Sequence, residues 1–187
     1  PEPIASGELT PVPMWRHPDF RHGAREMAVI AMGIAAWGLV TGVAMVKTGL
    51  SVPLALAMSF IVYAGSAQLA ALPLIATGAP MWLIWATALC VNLRFVIFSA
   101  QWRPYFAHLP DRSRIIRSYF AADLNGVLFL KRYPEPRVEA GQDEYFWGGA
   151  AINWLGWQSA SVAGILLADV IPANWGLGFA GTMALMA

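Results

Sequence analysis

Residues 48–93 read TGLSVPLALAMSFIVYAGSAQLAALPLIATGAPMWLIWATALCVNL, without one Asp, Glu, Lys, Arg or His. A water-soluble domain keeps about a quarter of its residues charged, so no surface facing water can be built from such a run. The turn-like Thr77-Gly78-Ala79-Pro80 divides it into two apolar segments, and Tyr63-Ala64-Gly65-Ser66-Ala67-Gln68 lies inside the first. Working outward, 58% of the 187 residues are apolar and only 12% are charged. These observations define an all-α integral membrane protein, a polytopic helical bundle whose solvent is mostly lipid.

A transmembrane helix needs about 20 apolar residues. Met27–Val46 meets that length between Arg25/Glu26 and Lys47, Pro53–Ala76 is a second segment, and Met81–Ala100 a third that contains Arg94. Trp82, Trp85 and Trp102 lie near the ends of the third, as an interfacial belt does. Residues 101–117 are polar and basic and read as an aqueous or headgroup-level loop. Ser118–Leu130 is too short to span unless Ile115–Tyr133 is included, and it carries Asp123 and Asn125. An exposed, charged loop over 131–144 precedes Tyr145–Ala168, and a last run begins at Val170, giving about six hydrophobic segments.

Residues 1–20 are expected to be a disordered or peripheral tail, since they lack the basic and apolar regions of a signal peptide. Residues 21–187 are expected to form a single transmembrane domain. The start at Pro1 and the last hydrophobic run, Val170–Ala187, suggest that both ends are incomplete. A net charge of +1 offers no basic field, which excludes nucleic acid as a partner. The lone Cys90 sits in an apolar run, so it reads as a packing residue and no disulfide framework or cysteine metal site is available. Neither a metal nor a cofactor is expected.

The positive-inside rule places Arg16, Arg21 and Arg25 on the same side as the basic 101–117 loop, yet three full crossings between them forbid it. The conflict disappears if one segment is broken or re-entrant, and Gly65-Ser66 is the natural break. Small residues at packing spacing, Gly38-x-x-x-Gly42 and Ala160-x-x-x-Gly164, are expected to let helices approach closely. A loose likeness between Trp37-Gly38 and Trp154-Leu155-Gly156 is too short to establish an inverted repeat.

Arg or Asp at mid-membrane costs about 2.5–3.5 kcal/mol on insertion scales, so Arg94 and Asp123 are the informative residues. Arg94 lies about 9 Å from its helix end by helical rise and can either snorkel or face inward beside Asn92, pairing with Asp123 or holding a carboxylate. Asp123 either ties helices together or handles a proton or an ammonium group. A helix broken at Gly65-Ser66 would present free N–H groups to an anion, with Gln68 needing a partner. Asn153 and Gln158 read as interhelical hydrogen bonds. The candidate substrate-binding set is therefore Tyr63, Gly65, Ser66, Gln68, Asn92, Arg94, Asp123 and Asn125.

The stretches Trp37-Gly38-Leu39-Val40-Thr41-Gly42, Tyr63-Ala64-Gly65-Ser66-Ala67-Gln68 and Asn92-Leu93-Arg94, followed by Asp123-Leu124-Asn125 and Asn153-Trp154, resemble the AzlC family of branched-chain amino-acid permeases. The resemblance covers most of the chain in the family's order, while the family's C-terminal part is not matched. It implies a transporter rather than an enzyme, exporting branched-chain or related hydrophobic amino acids from a bacterial cytoplasmic (inner) membrane. It also implies a small membrane partner of the AzlD type. Lipid and further copies of the chain, as a homo-oligomer, complete the expected partners. The rival functions are a non-transporting structural subunit or channel and an intramembrane aspartyl protease. The protease would need a second carboxylate beside Asp123, for which only Asp169 is available.

Overall fold

The computed structural model describes residues 13–171. Among them the regular structure is helical: a 3-10 turn at Met14–Arg16, then α1 (Pro18–Lys47), α2 (Val52–Ile61), α3 (Gly65–Ala76), α4 (Met81–Asn92), α5 (Arg94–Phe106), α6 (Asp111–Phe120), α7 (Asp123–Arg132) and α8 (Gln142–Leu166). The helix ends follow from local chemistry. Pro18 occupies the first turn of α1, where its missing N–H costs nothing, and His17 accepts a hydrogen bond from the Asp19 N–H at 3.3 Å. Gly49, at φ 98°, closes α1 with the paired bonds Leu50 N–H to Met45 carbonyl and Gly49 N–H to Val46 carbonyl. Only a residue tolerant of positive φ permits this cap. Gly78 closes α3 in the same way before Pro80 restarts the chain as α4.

The spine of the bundle is the parallel pair α1 and α8. Gly23 lies against Tyr145 and Gly149, Gly38 against Trp157, and Gly42 against Ser161 and Ile165, so both chains advance in the same direction. Gly148 and Gly164 reciprocate against Phe20 and Leu39. A Cβ added to Gly38 would stand 2.9 Å from the Trp157 carbonyl oxygen, and at Gly42 it would overlap that of Ser161. In lipid, where apolar contact between helices has no hydrophobic drive, such backbone approach is the source of cohesion. The expected close packing at Gly38, Gly42 and Gly164 is thus present. So are the expected hydrogen bonds: Ser59 Oγ donates to Gln158 Oε1 at 2.8 Å, and Gln158 Nε2 donates to the Ser59 carbonyl at 2.9 Å.

Between the two spine helices the chain makes two hairpins and one traverse. The segment 53–76 is interrupted at residues 62–64, and Gly65 and Ser66 form the first turn of α3 rather than the break itself. Leu69 and Leu72 of α3 return to a buried cluster with Ala55 of α2 and with Ala44 and Met45 of α1, so α2–α3 enters from one end and leaves by the same end. Met81–Phe106 then runs to the other end, where Tyr105 and Phe106 join Phe129, Tyr133, Tyr145 and Phe146. The second hairpin, α6–α7, enters from that end. Its tip reaches the first hairpin, where the Tyr119 hydroxyl donates to the Phe60 carbonyl, and Phe129 and Tyr133 bring it back.

Several sequence expectations change. Met81–Ala100 is one continuous apolar rod, as expected, whose hydrogen bonding only tightens at Leu93 while the backbone stays helical (φ −56°, ψ −27°), and it extends to Phe106; the polar stretch 101–117 is thus helical up to Phe106 and again from Asp111. Ile115–Tyr133 is the second hairpin, broken at Ala121–Ala122, rather than a crossing. Cys90 is exposed instead of packed, and Trp102 stacks on Phe106 at 5.5 Å between ring centres. The six-segment count therefore becomes three full traverses and two hairpins among the described residues. Val170 and Ile171 are the only residues of the last run among them.

This topology removes the charge conflict, because only α1 and α4–α5 traverse the bundle between Arg25 and the second hairpin. Of the 12 Lys and Arg residues, only Lys47 lies at the far end and only Arg94 near the middle. The others gather at one arginine-rich end. α1 and Met81–Phe106 are each long and apolar enough to cross a membrane, and the outer faces carry Val29, Met32, Trp82, Trp85, Leu89 and Ile97 in the open. Exposed apolar surface of that extent suits a lipid surround.

Candidate functional site

Three points of irregular backbone converge halfway along the bundle: a break at residues 62–64, a tightened turn at Leu93 just before Arg94 through which the helix continues, and a break at Ala121–Ala122 just before Asp123. At the first, Ala64 N–H bonds the Val62 carbonyl at 2.8 Å in a tight turn. Gln68 then caps the end of α2, its Nε2 donating to the carbonyls of Met58 at 3.2 Å and Val62 at 2.5 Å. Its partner is therefore the broken backbone itself, which explains a buried amide in an apolar segment. Asn125 does the same at the third interruption, donating from Nδ2 to the Phe120 carbonyl at 3.1 Å.

Arg94 faces the interior rather than snorkelling. Its guanidinium lies 3.1 Å from Asp123 Oδ2, donates to the Ser66 hydroxyl, and sits 5.3 Å from the ring centre of Phe95. One side chain thus ties together the starts of α3, α5 and α7. The charge pair answers the insertion cost of each group, since a charge at that depth is costly unless it is paired. Among the described residues Asp123 meets an arginine there rather than a second carboxylate.

Beside the pair lies a cavity of about 80 Å³, lined by Ile34, Trp37, Tyr63, Ala64, Gly65, Arg94, Phe95, Ala122, Asp123, Leu124, Asn153 and Trp157. It is far smaller than the roughly 300–1,000 Å³ of drug-sized sites and suits a small ligand. Tyr63 is fixed by Asn153, whose Nδ2 donates to the Tyr63 hydroxyl at 2.7 Å. The Trp157 ring lies directly over Gly65, where any side chain would collide with it. Trp37 and Trp157 stand edge to face at 5.6 Å. Three polar atoms of residues that line the cavity are buried and have no hydrogen-bond partner among the described residues: Asp123 Oδ1, Trp37 Nε1 and Trp157 Nε1.

Of the residues singled out from sequence, Tyr63, Gly65, Ser66, Arg94 and Asp123 are brought together here, while Gln68 and Asn125 brace the interruptions. Asn92 lies one turn away from the cavity wall with its Oδ1 buried and without a partner among the described residues. Trp37, Trp157, Phe95, Ile34 and Leu124 were missed as wall residues, because apolar side chains give no energetic signal against a lipid background. Asn153 was noticed for its hydrogen bond and within a motif, but not as a wall residue.

Two hairpins that meet at a charged pair inside an apolar helical bundle form an arrangement also met in membrane transport proteins. Residues 29–171 match the sequence model described as AzlC protein, and the chain belongs to the AzlC family, which makes it a membrane-associated component of amino-acid transport. This is a transporter family rather than an enzymatic one. No curated protein sequence matches the chain, nor does any solved structure.

Proposed function

We propose that this protein exports branched-chain or related hydrophobic amino acids across the bacterial cytoplasmic membrane, and does so together with a small AzlD-type membrane subunit. The observation that carries this reading is the Arg94–Asp123 pair in a small apolar-walled cavity with three unpartnered polar atoms. A zwitterion carries the same two charges as the pair. Its carboxylate takes the planar fork of Arg94, with the Trp37 and Trp157 N–H groups as further donors. Its ammonium group takes Asp123, whose Oδ1 stands ready to accept. Ile34, Phe95 and Leu124 supply apolar walls for the side chain, so the charges are exchanged rather than stripped bare, and binding avoids the cost of an unpaired charge.

The positive-inside rule makes the arginine-rich end cytoplasmic, with α2–α3 entering from outside and α6–α7 from within. Two hairpins entering from opposite sides and meeting at a central site form an arrangement suited to alternating access. The test is efflux of radiolabelled leucine from vesicles reconstituted with the chain and its partner subunit, compared with Arg94→Lys. The reading expects saturable efflux that Arg94→Lys impairs, since an ammonium lacks the fork. Absence of efflux with a folded complex would favour the structural-subunit reading instead.

A further inference from the structure

We propose that the larger cavity between α5 and α6 is an antechamber through which a carboxylate-bearing solute reaches the Arg94–Asp123 site from the arginine-rich end, with Phe95 as the barrier between them. This rests on the functional reading above and adds a route and a gate to it. The cavity is about 530 Å³ and opens where Arg103, Asp111 and Arg114 are exposed. Phe95 lines both this cavity and the small one. Behind the opening the walls are aromatic, formed by Phe98, Trp102, Phe106 and Phe146.

The charges at the opening are not equivalent. Arg114 is held by Asp111, and Arg117 by Asp143, with its Nε donating at 2.8 Å. Arg103 has no ion-pair partner among the described residues, which leaves one uncompensated positive charge at the mouth. Such a charge beside a low-dielectric wall draws anionic groups inward. Phe95 is also placed to move. Ala121 and Ala122, the small and extended residues of the second hairpin, line the two cavities beside it, which leaves its ring room to change rotamer. In its present position it contacts the Arg94 guanidinium at 5.3 Å. That contact ties the barrier to the group that meets the substrate carboxylate.

The experiment places a reporter cysteine at Leu124, on the small cavity, in the full chain carrying Cys90→Ser and reconstituted in neutral-lipid vesicles. Membrane-impermeant thiol reagents of either charge are applied from the arginine-rich side. With Phe95 present, labelling is slow; Phe95→Ala raises the rate about tenfold, equivalent to about 1.4 kcal/mol on the opening step. Adding Ser99→Trp, which fills the antechamber, returns it to the slow level. The anionic reagent outpaces the cationic one in Phe95→Ala, and Arg103→Gln removes that preference. Phe95→Leu, an apolar and partly filled replacement, gives an intermediate rate and serves if Phe95→Ala fails to fold. A rate indifferent to Phe95, or labelling that Ser99→Trp does not slow, overturns the proposal. Because no amino acid is needed, this result stands apart from the transport reading, which is tested separately by protection of the same cysteine with leucine.

Discussion

Replacing Arg94 by Met removes the group that joins three helix starts, and its cost can be worked from the contacts. Asp123 would keep its charge with no cation at 3.1 Å, and Ser66 would lose its donor. Breaking a buried ion pair from one side costs about 3–5 kcal/mol. The Asp123 side chain is 39% exposed to the cavity and surface, so hydration through the cavity brings the expected loss to the lower end, about 3 kcal/mol. Asp123→Leu alone should cost a similar amount, because Arg94 is then left in the same place. The double variant Arg94→Met with Asp123→Leu removes both charges and should recover most of the loss, leaving about 1 kcal/mol, since apolar replacement of a whole pair is often neutral. Unfolding of all four proteins in mixed detergent micelles gives the coupling term directly. Losses that simply add would refute the view that the pair is an energetic unit. The same double variant should fold without transporting, and recovered transport would show that the pair serves structure alone.

Other consequences follow from single contacts. Gly42→Leu should destabilise the bundle by about 1–3 kcal/mol, the usual cost of overpacking, because its Cβ meets the Ser161 backbone; thermal melting of the detergent-solubilised chain checks this. Ser59→Ala should cost about 1 kcal/mol by the same method, as membrane hydrogen bonds average about 0.6 kcal/mol and reach about 1.7, and Ser59 Oγ bonds both Gln158 and Ser161. Gly49→Ala should lower the melting temperature through a strain of about 1 kcal/mol, since φ is 98° there. A cysteine replacing Glu135 should react with an impermeant thiol reagent only from the cytoplasmic side, if the arginine-rich end faces inward as proposed.

The first hairpin was legible in the sequence for two reasons that agreed: a Gly-Ser pair inside an apolar run, and a charge distribution that an unbroken helix could not satisfy. The break before Asp123 carried no such mark. Ala121–Ala122 consists of the residue most favourable to helix. Tertiary contacts hold that break, with Asn125 bonded to the Phe120 carbonyl and Arg94 to Asp123. Arg94 and Asp123 were legible because charge at that depth is expensive. Trp37, Trp157 and Phe95 were not, because an apolar side chain costs the same against lipid as against a cavity. Gln68 was noticed for the same reason as Arg94, yet its amide completes the backbone of α2.

The measurement closest to the central claim is the binding of leucine to the purified chain, read as a shift in melting temperature against two analogues, one lacking the carboxylate and one lacking the amino group. If Arg94 and Asp123 receive the two charges of the substrate, leucine stabilises the wild-type protein and neither analogue does. Asp123→Asn and Arg94→Lys should then each lose the leucine shift while remaining folded. A leucine shift that survives both substitutions, or one matched by the analogue without a carboxylate, would contradict the account.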